Sequence, residues 1–398
     1  MILLEDGKKK EEIYAMWQRN FHDPVPYARF YFDEVYGKND ILLNVQDDED
    51  TIKGMLHLNP YGLSLGGQNV DAHYIVGVAT DEEFRRQGVM RELLKETFSR
   101  LRSQGETFTY LMPADENYYL PFDFRFGSCQ IEQEIECFSG SVPEAPETEY
   151  EYFTLKEINL EEVARMENRQ KDAVFTIHTE ITPEYLKRLE KETNSDFGKL
   201  FFVYSKGEYV GRFVMGAEND YMVISQIFYA KEDKHEWFLY EVLNYCEEHY
   251  HYGKYQLVLD ESWKKILKKP GNYQGIRVLP FHSRPIIMFR ILNVEKMGLY
   301  LKANNDSRGV IKITDQYLEE QNGIYEWSLS QKNCTIRKIE DESVENDCGE
   351  ISIGDLTMLL FGRKKGESPD KIPGLTSKGR ELLGEIIPMS LNCMQEIV

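Results

Sequence analysis

Apolar residues recur along the chain at two spacings, one typical of helices and one typical of strands. Helical spacing relates the apolar residues that follow Pro24, which are Tyr27, Phe30, Tyr31 and Val35. Asp23 and Pro24 predict the start of this helix. Short apolar runs predict strands over residues 41–45, 54–58, 61–65, 74–79 and 108–112. Residues 59–62, Asn-Pro-Tyr-Gly, predict a turn between two of them.

A helix with one apolar face is predicted after the strand that ends at Ala79. Its apolar positions are Val89, Met90, Leu93, Leu94, Thr97, Phe98 and Leu101. Gly105 is expected to end the helix, because glycine readily adopts the left-handed conformation that closes many helices.

The same order of elements recurs later in the chain. Strands are predicted over residues 200–205, 209–216 and 221–229, then a helix from Phe238 to Cys246, then a strand over 255–259. This order matches residues 41–112 and indicates a duplicated domain, with chance similarity of two α/β segments as the alternative. Where the first copy has Arg-Arg-x-Gly, the second has residues 230–234, Ala-Lys-Glu-Asp-Lys. We therefore expect the second copy to lack a phosphate loop.

The last hundred residues have a third pattern. Residues 309–317, 323–329 and 334–339 alternate like antiparallel strands, residues 350–360 predict a strand that runs into a short helix, and residues 386–398 are largely apolar. Residues 141–152, with two prolines and four glutamates, are expected to be a linker or an edge connection. For 398 residues, these patterns predict domains at 1–146, 147–290 and 291–398.

Composition narrows the possible partners. The net charge of −21 repels nucleic acid and anionic membranes. It attracts cationic substrates, or it serves solubility alone. The six cysteines are not spaced like metal ligands. The sequence shows no signal peptide and no apolar run of the about 20 residues that a membrane helix needs. We therefore expect a cytoplasmic protein in which the cysteines are reduced thiols. No metal site is predicted.

The candidate chemistry lies between the strand at 74–79 and the helix after it. Arg85-Arg86-Gln87-Gly88-Val89 places two cations and a glycine at a helix N-terminus, whose unpaired N–H groups suit a pyrophosphate. The alternative is an ordinary basic helix start.

This segment resembles motif A of the GCN5-related N-acetyltransferase (GNAT) superfamily, Arg/Gln-x-x-Gly-x-Gly/Ala. Met90 departs from the motif at its last small position. The resemblance implies that acetyl-CoA is bound by Val76, Val78, Ala79, Arg85, Arg86, Gln87, Gly88, Val89 and Met90. Residues 118–124 resemble the superfamily's aromatic-Tyr-x-x-x-Gly-Phe segment, with Asp123 in place of glycine. Tyr119 then falls on the general acid; a core tyrosine is the alternative.

The three-part layout resembles the enhanced-intracellular-survival (Eis) family over essentially the full chain. The resemblance implies an α+β / α/β fold of tandem GNAT-like domains, one active and one degenerate, and a C-terminal domain like sterol carrier proteins. It also implies a homo-oligomer such as a hexamer. The general base would be the C-terminal carboxylate of Val398, or that end docks for structural reasons alone. Phe21 and Asp23 would contact substrate, although Asp23 also suits a helix cap. Glu396 would add negative charge near the amine or is a surface residue.

These expectations describe direct acetyl transfer to a primary amine, namely a polyamine, an aminoglycoside or a lysine-like acceptor. The backbone amide of Val78 or its neighbour would polarise the thioester carbonyl. The rival hypothesis is a non-enzymatic protein that binds CoA or a lipid.

Overall fold

The computed structural model describes residues 1–46, 51–138, 150–230, 235–273, 275–340, 347–362 and 368–394. Most of the predicted linker, residues 141–149, lies outside these residues. Among the described helices, none is long and apolar enough to cross a membrane.

The first third of the chain places two helices and a long hairpin before α3. The elements are β1 (Ile2–Leu4), α1 (Lys10–Asn20), α2 (Val25–Phe30), which continues as a π-helix over Tyr31–Val35, β2 (Asp40–Val45), β3 (Ile52–Leu65), β4 (Gln68–Thr80), α3 (Val89–Ser103), β5 (Phe108–Leu111) and β6 (Arg125–Cys137). Helix α3 forms as predicted because Val89, Leu93, Leu94, Phe98 and Leu101 bury one face. Gly105 follows its end with φ of 89°.

The middle of the chain repeats this order, as predicted. Its elements are β7 (Tyr150–Phe153), α4 (Leu160–Val174), β8 (Ile177–Thr179), α5 (Pro183–Ser195), β9 (Lys199–Ser205), β10 (Glu208–Glu218), β11 (Tyr221–Tyr229), α6 (His235–Tyr250), β12 (Lys254–Asp260), β13 (Gly271–Tyr273), β14 (Ile276–Val278) and β15 (His282–Ile291). Two helices, three antiparallel strands, a helix and a parallel strand thus occur twice.

The remaining residues form a smaller sheet with helices. The elements are α7 (Val294–Met297), β16 (Lys302–Ala303), β17 (Ser307–Thr314), β18 (Gly323–Leu329), β19 (Thr335–Ile339), β20 (Glu350–Ser352), α8 (Ile353–Phe361), α9 (Ser377–Gly384), β21 (Ile386–Ile387) and β22 (Asn392–Cys393). The sheet order is β19-β18-β17-β20. Its buried side chains, Ile311, Ile313, Tyr325 and Trp327, are each at most 1% exposed.

One large sheet joins the two copies, in the order β1-β2-β3-β4-β5-β15-β6-β12-β11-β10-β9-β7. Strand β15 lies between β5 and β6, antiparallel to both, so a strand from late in the chain completes the sheet of the first copy. Strand β6 in turn pairs with β12 of the second copy. The two copies therefore share a continuous backbone ladder.

The predicted turn at residues 59–62 is wrong. These residues lie inside β3, which pairs with β4 along its length, and Pro60 lies opposite His73. On its other edge, β3 pairs with β2 up to Leu58 and with β8 from Leu63. Pro60 falls between these two partners, a place that tolerates a residue without an N–H.

Candidate functional site

Strand β4 carries a bulge at Gly77, beside the candidate cofactor residues Val76, Val78 and Ala79. Met55 lies opposite Ala79 and His57 opposite Val76, so β4 has one residue more than β3 here. Gly77 has φ of 60°, which favours glycine. Beyond Tyr74 and Tyr110, the one register pair between β4 and β5 among the described residues, the two strands diverge. Beyond Tyr74, the edge of β4 that faces β5 therefore has no register partner among the described residues.

The loop before α3 forms a left-handed turn at the same end of β4. Arg86 and Gly88 have φ of 62° and 85°, and Gly88 is the N-cap of α3. The amide of Glu92 donates to the Gly88 carbonyl, so the preceding amides of the first turn have no acceptor within the helix. A Cβ added to Gly88 would meet no atom within 4 Å. This loop can therefore hold an anion against the helix N-terminus.

The predicted loop residues take three different positions. Arg85, Arg86 and Gln87 are exposed, and the Arg85 guanidinium donates to Asn20 Oδ1 at 3.3 Å. Val89, the first residue of α3, is buried against β3, where its Cγ1 would lie 2.5 Å from a Cβ added to Gly54. That glycine lets α3 approach β3 closely. Met90, the departure from the motif, is half-buried in the same core cluster as Val78 and Tyr119.

Tyr119 lies between two short 3-10 helices, Glu116–Tyr118 and Leu120–Phe122. It is 9% exposed and packs edge-on against Phe124, and burial raises the pKa of its phenol to about 12. Asp123 has φ of 64°, which accounts for the glycine usual at this position of the motif. Aspartate is one of the few other residues that tolerate this conformation.

Trp17 connects the bulge to Asp23. A Cβ added to Gly77 would lie 2.6 Å from Trp17 Cζ3, and at its other end Trp17 Nε1 donates to Asp23 Oδ2 at 2.8 Å. Phe21 is half-buried, with its ring 4.8 Å from that of Trp17. The interpretation of Asp23 as a helix cap is wrong, because α2 begins at Val25 with Pro24 as its N-cap and without a side-chain cap bond.

A cavity of about 520 Å³ opens at Pro24, the residue after Asp23, between α2, α5 and strands β10 and β11. Partial burial, together with the negative charges of Glu218 and Asp23, raises the pKa of Asp196 in its wall. Tyr27 also lines the cavity, and its buried hydroxyl has no hydrogen-bond partner among the described residues. Arg188 also lines the cavity, but it lies 3.8 Å from Glu192, so the carboxylates of Asp196 and Glu218 leave an excess of negative charge in the wall. A positively charged ligand would reduce the repulsion between them.

The last described strand, β22, lies near this cavity, because Asn392 and Cys393 line a small pocket that shares Gln130, Ser225, Gln226 and Val258 with it. Strand β22 pairs in parallel with β8, and Asn392 Nδ2 donates to the Gly127 carbonyl at 2.5 Å. Cys393 and Met394 are buried. The predicted site residues Glu396 and Val398 lie outside the described residues. Val398 is the fourth residue after Met394, so it lies within about 14 Å of it at full extension of the chain.

The comparisons identify the first part of the chain. Residues 6–127 match the family model of the acetyltransferase (GNAT) domain. This segment is a GNAT domain. Among curated protein sequences, none matches the chain.

Solved structures extend the likeness to the whole fold. A probable N-acyltransferase from Enterococcus faecalis V583, described as a conserved protein of unknown function, is 13% identical, with a TM-score of 0.78 over 98% of this chain and 97% of that chain. A GCN5-related N-acetyltransferase from Kribbella flavida is 15% identical, with a TM-score of 0.75 over 99% and 97%. Eis1 from Mycobacterium abscessus is 12% identical, with a TM-score of 0.68 over 98% and 97%. The predicted tandem GNAT fold is thus confirmed.

The second GNAT-like copy keeps the bulge of the first. The register between β10 and β11 shifts by one residue after Arg212, and Gln226 has φ of 48°. Here, however, a fully buried ion pair reaches the bulge: Arg212 Nε lies 2.8 Å from Glu167 Oε1, and Arg212 Nη1 donates to the Gln226 carbonyl at 3.1 Å. Gln226 also lines the 520 Å³ cavity. The second copy therefore contributes part of the wall of this cavity.

Several site residues were missed by sequence reasoning. Gly77 could have been found, because an isolated glycine within a strand signals a bulge. Trp17, Tyr27 and Asp196 carry no such local signal, since their positions depend on how α1, α2 and α5 pack together.

Proposed function

We propose that this chain is an N-acetyltransferase that transfers the acetyl group of acetyl-CoA to a primary amine. The observation that carries the proposal is the position of Trp17. Its indole touches the β4 bulge at one end and, at the other, hydrogen-bonds Asp23 beside the acidic cavity. One aromatic side chain therefore spans the distance between a thioester site and an amine site.

The cofactor residues fit the chemistry of CoA. The first-turn amides of α3, with Arg85 and Arg86, suit the pyrophosphate, and the open space at Gly88 leaves room for it. The free edge of β4 at Val76, Val78 and Ala79 can pair with amides of an extended ligand, as an added strand would. Gln87, Val89 and Met90 shape the loop and its seat on the sheet.

Acetyl-CoA supplies a thioester, at whose carbonyl carbon the amine attacks. The backbone N–H of Val78 or its neighbour donates to the carbonyl oxygen, where negative charge develops. Tyr119 donates a proton to the sulfur, because a phenol with a raised pKa of about 12 stays protonated at neutral pH. The α-carboxylate of Val398 accepts the amine proton.

The acceptor in this proposal is a cationic amine: a polyamine, an aminoglycoside or a lysine-like side chain. Asp23, Phe21 and Glu396 would contact it, together with Asp196 and Glu218 of the cavity. The family resemblance extends the proposal to a homo-oligomer in the cytoplasm.

A charge series of amines tests the acceptor site. We expect Asp196→Asn and Glu218→Gln each to raise the KM of a polycationic amine about twofold to fivefold, because exposed charge pairs contribute modestly. The KM of acetyl-CoA should not change. Asp306→Asn is the matched control, since Asp306 is an exposed carboxylate that does not line the cavity. An equal effect of all three variants would argue against an acceptor site here.

A titration tests the inactivity of the second copy. Calorimetry with CoA is expected to saturate at one molecule per chain, because only the first copy has the Arg-Arg-x-Gly sequence at its strand-to-helix loop. The Glu167–Arg212 pair at the Gln226 bulge adds to this reason. Saturation at two molecules per chain would contradict it.

A further inference from the structure

Residues from the last third of the chain hold the turn that follows Tyr119. The Phe122 carbonyl accepts from Arg290 Nε at 2.9 Å. The Pro121 carbonyl accepts from Gln316 Nε2 at 2.9 Å and from the Tyr317 hydroxyl at 3.1 Å. Two consecutive carbonyls of the turn are therefore fixed by side chains more than 160 residues away.

Arg290 itself is held rigidly. It is fully buried on β15, where Nη2 donates to Asp315 Oδ1 at 2.7 Å and Nη1 to the Ile291 carbonyl at 3.1 Å. Its guanidinium lies 4.0 Å from the ring centre of Phe98 on α3.

Asp315 has further donors that hold it in place: the amides of Tyr317 and Leu318 and Nε2 of Gln321. This network connects the C-terminal sheet to Tyr119 through the Phe122 carbonyl.

A fully buried ion pair is a poor stabiliser compared with packed apolar side chains. A positioning role accounts better for the hydrogen bond from Arg290 of this pair to the Phe122 carbonyl, because small displacements of a catalytic group lower turnover sharply. We infer that Arg290 and Asp315 are positioning residues that hold the Tyr119 turn against the thioester sulfur. The inference rests on the proposed role of Tyr119 as general acid. In this inference, side chains from the C-terminal third of the chain fix the position of a catalytic residue of the first GNAT domain.

A double-mutant cycle tests the inference. Tyr119→Phe alone should lower kcat about tenfold to a thousandfold, as expected for loss of one general acid. Arg290→Met alone should lower kcat between about tenfold and a hundredfold, because the turn is displaced. In the Tyr119→Phe background, Arg290→Met should change kcat less than about twofold, since no acid remains to position. The KM of acetyl-CoA should stay constant throughout.

Arg212→Met is the matched control, because Arg212 is also fully buried and paired to a carboxylate. Any effect of this variant on kcat should be equal in both backgrounds. If Arg290→Met does not fold, Tyr317→Phe combined with Gln316→Leu removes the two donors to Pro121 from the protein surface, and the same cycle applies.

The outcomes separate the two proposals. If Tyr119→Phe lowers kcat but Arg290→Met acts equally in both backgrounds, the positioning role is wrong and the general acid stands. If Tyr119→Phe leaves kcat unchanged, the general acid is wrong, and the positioning role is refuted with it.

Discussion

Replacing Gly88 by glutamate is expected to abolish acetyl-CoA binding in a calorimetric titration. With φ of 85° and no atom within 4 Å of an added Cβ, residue 88 would project its side chain into the open space at the N-terminus of α3. The carboxylate would then occupy the proposed pyrophosphate position and would neutralise part of the positive charge of Arg86. Both bulk and charge therefore act against the anion.

Gly207→Glu is the matched control for this variant. Gly207 has φ of 78° and also has no atom within 4 Å of an added Cβ, but it lies in the turn between β9 and β10. The backbone strain and the added charge are therefore similar, and only the location differs. A folded Gly88→Glu chain that binds acetyl-CoA as tightly as Gly207→Glu would show that the loop is not the cofactor site.

Extending the chain beyond Val398 is expected to lower turnover by about a hundredfold or more, the range of a lost general base. The α-carboxylate would become a neutral peptide group that cannot accept a proton. The added residues would also crowd the acceptor side, because β22 is anchored on β8 and Gly127 only a few residues before the end. Steady-state kinetics with a saturating amine would measure the loss.

The matched control is the same chain released from an intein fused after Val398, which restores the natural α-carboxylate. Acetyl-CoA affinity should be equal in the extended and released proteins, because the phosphate loop is on α3. An extended, folded protein with full turnover would show that the terminus is structural. Another acceptor of the amine proton would then be required.

The sequence predicts most of what depends on local chemistry. The loop from Arg85 to Val89 and the helix after it follow from residue type and period alone. Asp123 replaces the glycine that the motif predicts, yet it adopts the left-handed conformation that favours glycine. The backbone geometry of the motif is therefore kept although the residue differs. Pro60 misled the turn prediction because proline also fits a strand where a ladder partner is missing.

Contacts between distant segments could not be predicted in this way. The insertion of β15 between β5 and β6, the aim of Arg290 at the Phe122 carbonyl and the cavity around Tyr27 each join segments more than 100 residues apart. No periodicity or short motif encodes such pairings, because they arise from how the two copies share one sheet.

Transfer of a labelled acetyl group to an amine would demonstrate the proposed reaction itself. Acetyl-CoA labelled in the acetyl group would be incubated with the chain and a polycationic amine, and thiol release and amine product would be measured together. The unaltered chain is expected to form one acetylated amine for each thiol released, and Gly88→Glu is expected to form none. If calorimetry shows that acetyl-CoA binds, yet no amine across the charge series becomes labelled, the chain is not an amine acetyltransferase.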